Sequence, residues 1–265
     1  MRLCVVHINA EIVSAPYTNR VITLFDRIKR PDTVIEHRYV RSKRATDAVF
    51  AFQFLLNKFD VAQHFVAIDR AGYDGAMVAC TGDPGVVEGR SMTSIPIVGP
   101  LEASLHLACM YGLKVGIVTV EDRSWWEAVH TLVDNAGLGH RVSGIGRIEI
   151  DSLTAFSKGF DDPYPVAAEI ERQARIQVEK GANVIVLASA GLSTIASAAG
   201  LNRIEDLDVP IFDTLAVGLK TLEMRVDLTK LHGLPVTSRV GLTQHLAAVD
   251  VDRLAKLYEF SDRLK

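Results

Sequence analysis

Short runs of β-branched and other apolar residues alternate along the chain with longer segments whose apolar positions recur every three or four residues. The runs at 3–8, 34–40, 75–79, 95–98, 115–120, 145–150, 184–188 and 209–212 predict strands. The segments at 14–29, 46–59, 102–111, 124–136, 165–180, 193–199 and 214–228 predict helices. Strand and helix in alternation is the pattern of a parallel sheet covered by helices, so the expected fold class is α/β.

Two stretches read as one unit used twice. Residues 73–82 and 181–191 each run from a glycine-containing turn through an apolar strand into small residues, Cys80-Thr81-Gly82 in the first and Ser189-Ala190-Gly191 in the second. In open parallel sheets the crevice for ligands lies beyond the carboxyl ends of the strands, so chemistry is sought there first.

Composition narrows the function classes. The 265 residues carry 29 Lys+Arg against 32 Asp+Glu, a net charge of -3 that gives no overall attraction to nucleic acid or to an anionic membrane. Neither partner is expected. The N-terminal residues lack the apolar stretch of a signal peptide, and no apolar run nears the roughly 18 residues of a membrane span. The three cysteines, Cys4, Cys80 and Cys109, show no paired spacing, which predicts a reducing compartment and a cytoplasmic protein.

Common motifs are missing: there is no phosphate-binding G-x-x-x-x-G-K-[ST], no H-E-x-x-H, no G-x-S-x-G, and Gly144-Ile145-Gly146 lacks the third glycine of a dinucleotide fingerprint. The eight histidines have no metal-ligand spacing, so neither metal nor nucleotide cofactor is expected; His7, ending the first strand, is the least settled of them. Cys4 and Cys109 lie in apolar segments and read as buried hydrophobes. Cys80 instead follows a strand and precedes Thr81-Gly-Asp-Pro-Gly85, a turn that exposes backbone N–H groups and opens a short helix. Such donors are expected to lower the thiol pKa toward neutrality and free a thiolate as base or nucleophile.

The segment Cys80-Thr-Gly-Asp-Pro-Gly85, followed by Ile95-Pro-Ile-Val-Gly-Pro-Leu-Glu-Ala103 and Lys114-Val-Gly-Ile-Val-Thr119, resembles the aspartate/glutamate/hydantoin racemase superfamily, most of all its hydantoin and allantoin racemase branch. Ala182-Asn-Val-Ile-Val-Leu-Ala-Ser-Ala-Gly191 is similar to the second active-site strand of that family, Val209-Pro-Ile-Phe-Asp213 to the strand after it, and Thr237-Ser-Arg-Val-Gly241 to its tail. The resemblance covers residues 1–241. It implies a cofactor-independent enzyme of two similar Rossmann-like parallel-sheet domains with the substrate in the cleft between them. Residues 1–96 with 209–265 would form one domain and 97–208 the other. In the family, one thiolate removes the proton beside a carbonyl and an opposed thiol returns a proton to the other face.

Cys80 matches the first of those cysteines, whereas Ser189 stands at the second. A hydroxyl is far less acidic than a thiol and supplies no standing anion near neutral pH without an adjacent base. Ser189 is therefore expected to donate a hydrogen bond to a developing enolate or to relay a proton, with Cys80 doing the acid/base work. The resemblance implies a racemase or epimerase acting on a carbon next to a carboxylate or cyclic amide. Two alternatives stay open: a one-thiol lyase similar to the arylmalonate decarboxylases, and a catalytically idle binding protein that kept the cleft. The branch's Asn-Pro-Asn-Thr-Ser segment is replaced by Asn9-Ala-Glu-Ile-Val-Ser-Ala-Pro-Tyr-Thr18, of which Asn9 matches.

Further candidates follow from the expected fold. Thr81, Gly82, Ala190 and Gly191 would bring backbone N–H groups to a planar enolate, and Thr119 would add a hydroxyl. Asp83 reads as a cap of its own following turn, and Glu102 and Asp213 as helix-start or turn carboxylates. Trp125 and Trp126 read as interface residues after a Ser124 cap, and the basic run 38–44 as a solvated loop. A symmetric homo-oligomer is expected for an α/β enzyme of this size.

Overall fold

The computed structural model describes residues 1–11, 15–42 and 50–264. Two parallel sheets form its frame. The first contains β1 (Arg2–His7), β2 (Val34–Tyr39), β3 (Gly75–Val78) and β4 (Ile97–Val98) in the spatial order β2-β1-β3-β4. The second contains β5 (Val115–Thr119), β6 (Val142–Arg147), β7 (Val184–Leu187), β8 (Arg203–Ile204) and β9 (Val209–Phe212) in the order β6-β5-β7-β9-β8. Apart from the antiparallel β8, the second sheet repeats the order of the first: its second strand, first, third and fourth lie side by side. In each sheet the chain leaves the first strand to one side and returns with the third on the other. That reversal opens a crevice between the ends of β1 and β3, and an equivalent one between β5 and β7.

The helices are α1 (Ala15–Ile28), α2 (Ala51–Arg70), α3 (Val86–Met92), α4 (Pro100–Ala108), α5 (Arg123–Asn135), α6 (Ser152–Gly159), α7 (Tyr164–Glu179), α8 (Ala190–Ala199), α9 (Thr214–His232) and α10 (Ala248–Leu257). Side chains of β1 alternate between two cores, as the period of a strand requires. Cys4, Val6 and Ile8 pack with Val61, Phe65 and Ile68 of α2. Leu3 and Val5 pack with Val21 and Phe25 of α1 and with Leu215, Leu219 and Leu222 of α9. Although α9 follows a strand of the second sheet, its apolar face thus returns to cover the first. The second sheet has its own core, with Ile117, Ile170, Ile185 and Leu192 among its fully buried members.

All the expected strands are present, most within a residue or two of their expected bounds; β6 begins earlier, at Val142, and β4 is only two residues long. Of the expected helices, α2 continues to Arg70 rather than stopping at 59. Its polar residues are inside the fold instead of ending the helix: Asp60, for one, accepts the backbone N–H of Arg41 at 2.8 Å. The expected starts at Ser14 and at residues 46–49 lie outside the described residues, as do Lys43 and Arg44 of the basic run. Two strands near the expected domain limits sit in the other sheet from their numbers, β4 in the first and β9 in the second. Among the described residues, no helix is long and apolar enough to cross a membrane.

Candidate active site

Cys80 follows β3, and its buried Sγ accepts the backbone N–H of Gly82 at 3.3 Å. The turn closes when the Asp83 N–H donates to the Cys80 carbonyl at 3.1 Å, which places Asp83 at a left-handed φ of 46°. Asp83 does not cap its own turn as expected. Its carboxylate accepts the N–H groups of Leu101 at 3.1 Å and Glu102 at 2.7 Å, capping α4 across 18 residues of chain. Burial pushes the Cys80 thiol up to about 12, reinforced by the Asp83 carboxylate and opposed only by the Gly82 N–H. The expected drop toward neutrality is thus reversed, because loss of water outweighs one backbone donor.

Ser189 occupies the matching place after β7. Its buried Oγ accepts the Leu192 N–H at 3.3 Å, making it the N-cap of α8. The preceding carbonyl, that of Ala188, receives two donors from the other side of the crevice. Thr119 Oγ1, at the end of β5, donates at 2.9 Å, and Trp125 Nε1, in α5, donates at 3.0 Å. The Thr119 hydroxyl proton is therefore committed to the protein and fixes the strand end that carries Ser189. Trp126 Nε1 donates to the Ile145 carbonyl at 3.0 Å, and Asp122, not Ser124, stands at the N-cap of α5.

Trp125 also links the two sheets. A Cβ added to Gly82 would lie 2.9 Å from its ring and 2.8 Å from the ring of Phe54, so only glycine fits beneath that aromatic pair. A Cβ on Gly191 would lie 2.4 Å from the ring of Phe156. Ala190 shares one apolar cluster with Ala79, the residue before Cys80. What joins the two turns is Trp125, which packs on Gly82 and hydrogen-bonds the Ala188 carbonyl that precedes Ser189. Asn9, past the end of β1, is buried, and its side-chain oxygen has no hydrogen-bond partner among the described residues.

Three further side chains on elements that adjoin these turns were not read from the sequence as site groups. Tyr17 of α1 donates its hydroxyl to the Ala79 carbonyl at 2.9 Å. Burial holds that phenol well above its ordinary range, with the Cys80 and Asp213 charges adding to the effect. Asp213 is the helix-start carboxylate expected, since its Oδ1 accepts the N–H groups of Leu215 and Ala216. Burial raises the carboxyl to about 6 against the opposing pull of the Ala216 and Leu215 N–H groups, the Ser197 hydroxyl and the Arg27 charge. His7 shares a 2.9 Å contact with His37 and stacks on Tyr39, and burial with the neighbouring His37 lowers it to about 3. The only sequence cue to Tyr17 was its position in the segment that departs from the hydantoin branch. Among the described residues, no three His, Cys, Asp or Glu side chains gather where they could hold a metal ion.

The family model Asp/Glu/Hydantoin racemase matches residues 14–222. A hydantoin racemase of Pseudomonas sp. (strain NS671) is 32% identical over 164 residues, which cover 61% of this chain and 62% of that protein. The chain therefore matches less than two thirds of this curated relative's length. Among solved structures, allantoin racemase from Klebsiella pneumoniae superposes with a TM-score of 0.76 at 24% identity, covering 93% of this chain and 94% of that one. Allantoin racemase from Pseudomonas fluorescens does so with a TM-score of 0.72 at 22% identity, covering 93% and 97%. At these identities the superpositions establish a common fold.

Proposed function

The chain belongs to the Asp/Glu/hydantoin racemase family, and from that premise we propose a cofactor-independent racemase or epimerase acting on a carbon next to a carboxylate or cyclic amide. The observation that carries this reading is the matched pair of strand ends: a thiol and a hydroxyl, each buried and each accepting a backbone N–H at 3.3 Å, one from each sheet. Cys80 is the acid/base group. As a thiolate it takes the proton from the substrate carbon, the C–H electron pair forms a carbon–carbon double bond, and the carbonyl π pair moves to oxygen to give an enolate. Backbone N–H groups of Thr81, Ala190 and Gly191 stabilise that oxygen, while the N–H of Gly82 holds the Cys80 sulfur. Ser189, beside the opposite face, hydrogen-bonds the enolate or passes a proton to it from water.

One observation favours a second reading. With its pKa pushed up to about 12, the Cys80 thiol is held protonated, and a protonated thiol is better prepared to give a proton than to take one. A lyase that forms the enolate by releasing carbon dioxide from a malonate would need only that one donor.

Deuterium uptake in D2O separates the readings, with single-enantiomer hydantoins, allantoin, amino acids and substituted malonates as substrates. Uptake with inversion from a hydantoin or amino acid supports the racemase. Carbon dioxide release from a malonate, with one deuteron delivered to one face, supports the lyase. Binding without exchange or product would leave a ligand-binding protein and defeat both.

The same reading treats the chain as two sheet-centred units, with the connection before β5 and the one after β9 as crossings between them. The three cysteines are free, in keeping with a reducing, cytoplasmic setting, and a homo-oligomer goes with this assignment.

A further inference from the structure

A cavity of about 460 Å³ lies in the groove between α4 and α9, and none of the candidate active-site residues lines it. It falls within the range of about 300–1,000 Å³ usual for small-molecule sites. Its charged wall is made by Arg90, Glu102 and Arg225, and its apolar wall includes Leu107, Met110 and Met224.

The charged wall is unbalanced. The guanidinium groups of Arg90 and Arg225 converge on one acceptor, the carbonyl of Ile97, at 3.1 and 2.9 Å. Glu102 is already engaged on both oxygens by Arg90, at 3.0 and 2.5 Å. Arg225 has a second bond, to the Val236 carbonyl, but among the described residues no carboxylate pairs with it. A guanidinium carries five N–H donors, so Arg225 keeps several for a ligand. Burial first, and then the neighbouring Arg90, disfavour its charge and outweigh the favourable Glu102 carboxylate, a cost that an incoming anion would relieve.

We propose that this groove is a second binding site, taking a small monocarboxylate with a short apolar tail. The carboxylate meets Arg225 in the fork geometry that guanidinium groups favour, and the tail lies along Leu107 and the two methionines, whose unbranched side chains adapt to varied shapes. One surplus positive charge beside an apolar wall selects a monoanion with hydrocarbon over inorganic phosphate. The site is separate from the catalytic crevice yet shares a residue with its support, because Glu102 turns its carboxylate to the groove and gives its N–H to Asp83.

Calorimetric titration of the full chain with hexanoate tests the proposal, with hexanol and inorganic phosphate as comparison probes. The expected result is saturable hexanoate binding at one site, weakened at least about tenfold in Arg225→Met, with both comparison probes binding more weakly. Because Arg225 also ties two carbonyls, Met110→Glu is the second variant. Met110 is 82% exposed, so a carboxylate there repels the ligand without disturbing the core. The proposal is overturned if the wild type shows no saturable hexanoate binding, if Met110→Glu binds hexanoate as tightly as the wild type, or if phosphate binds better than hexanoate. A change of mass in solution for Met110→Glu with unchanged hexanoate affinity would assign the groove to a second copy of the chain and overturn it equally.

Discussion

The sulfur of Cys80 and the hydroxyl oxygen of Ser189 hold equivalent positions in two different sheets, each accepting a backbone N–H at 3.3 Å just past the end of the third strand. The pairing makes the difference between the two atoms chemically informative. One terminus carries a group that titrates within reach of a protein, and the other carries one that does not.

Replacing Ser189 by cysteine places a thiol at each strand end. If the crevice performs proton transfer on both faces of an enolate, Ser189→Cys raises racemisation of a single-enantiomer hydantoin by about 10²-fold, the usual contribution of a positioned acid/base group. Polarimetry measures this directly, and an unchanged rate would remove Ser189 from the reaction.

Cys80→Ser abolishes deuterium uptake at the substrate carbon while leaving the circular dichroism spectrum intact. The thiol itself reports its surroundings. With a pKa near 12, only about one molecule in 10⁴ carries the thiolate at pH 8, so alkylation of Cys80 by iodoacetamide rises about tenfold per pH unit with no plateau from pH 7 to 10. Peptide mapping in a Cys109→Ser background gives the site-specific rate; a plateau near pH 8 would contradict the burial argument.

Gly82→Ala forces a methyl group against Phe54 and Trp125. The expected cost is about 1–3 kcal/mol in urea unfolding, with loss of exchange activity because the Cys80 turn is displaced. Thr119→Val removes one of the two donors on the Ala188 carbonyl and costs about 1 kcal/mol, with the Trp125 bond retained.

His7 gives the fold a pH dependence. Its folded pKa, about 3, lies below the ordinary value of 6.5, so the neutral form is the stable one inside the protein. The stability it contributes is therefore present above pH 6.5 and lost as pH falls toward 3, at about 1.4 kcal/mol per pH unit within that window. His64, lowered to about 4, and His37, lowered as well, act in the same sense. His7→Gln should flatten part of the fall in the urea midpoint between pH 6.5 and 4, and an unchanged profile would count against it.

The parallel sheets were legible because the central strands β1, β3, β5 and β7 are short apolar runs between helical periods, and the site because two such runs end in small residues. The sequence cannot convey reach across the fold. Asp83 and Glu102 are 19 positions apart, and nothing local marks the one as the cap for the other's helix. The Cys80 pKa is not legible for a related reason: backbone donors of a turn can be counted along the chain, whereas the water excluded by burial of the thiol cannot. β8 escaped notice because its two residues, Arg203 and Ile204, carry no periodicity.

Those two residues have a consequence for association. A sheet that ended on β9 would offer a row of open backbone groups to any passing strand and invite ordered aggregation. Instead β8 pairs antiparallel with β9 and finishes the sheet in a stub, flanked by the ion pair of Arg203 with Glu205. At the far end of the first sheet, β4 is equally short, and its Ile97 carbonyl is already covered by two guanidinium groups. At both edges, a foreign strand finds too little backbone to dock on, which guards the chain against fibre growth from these positions.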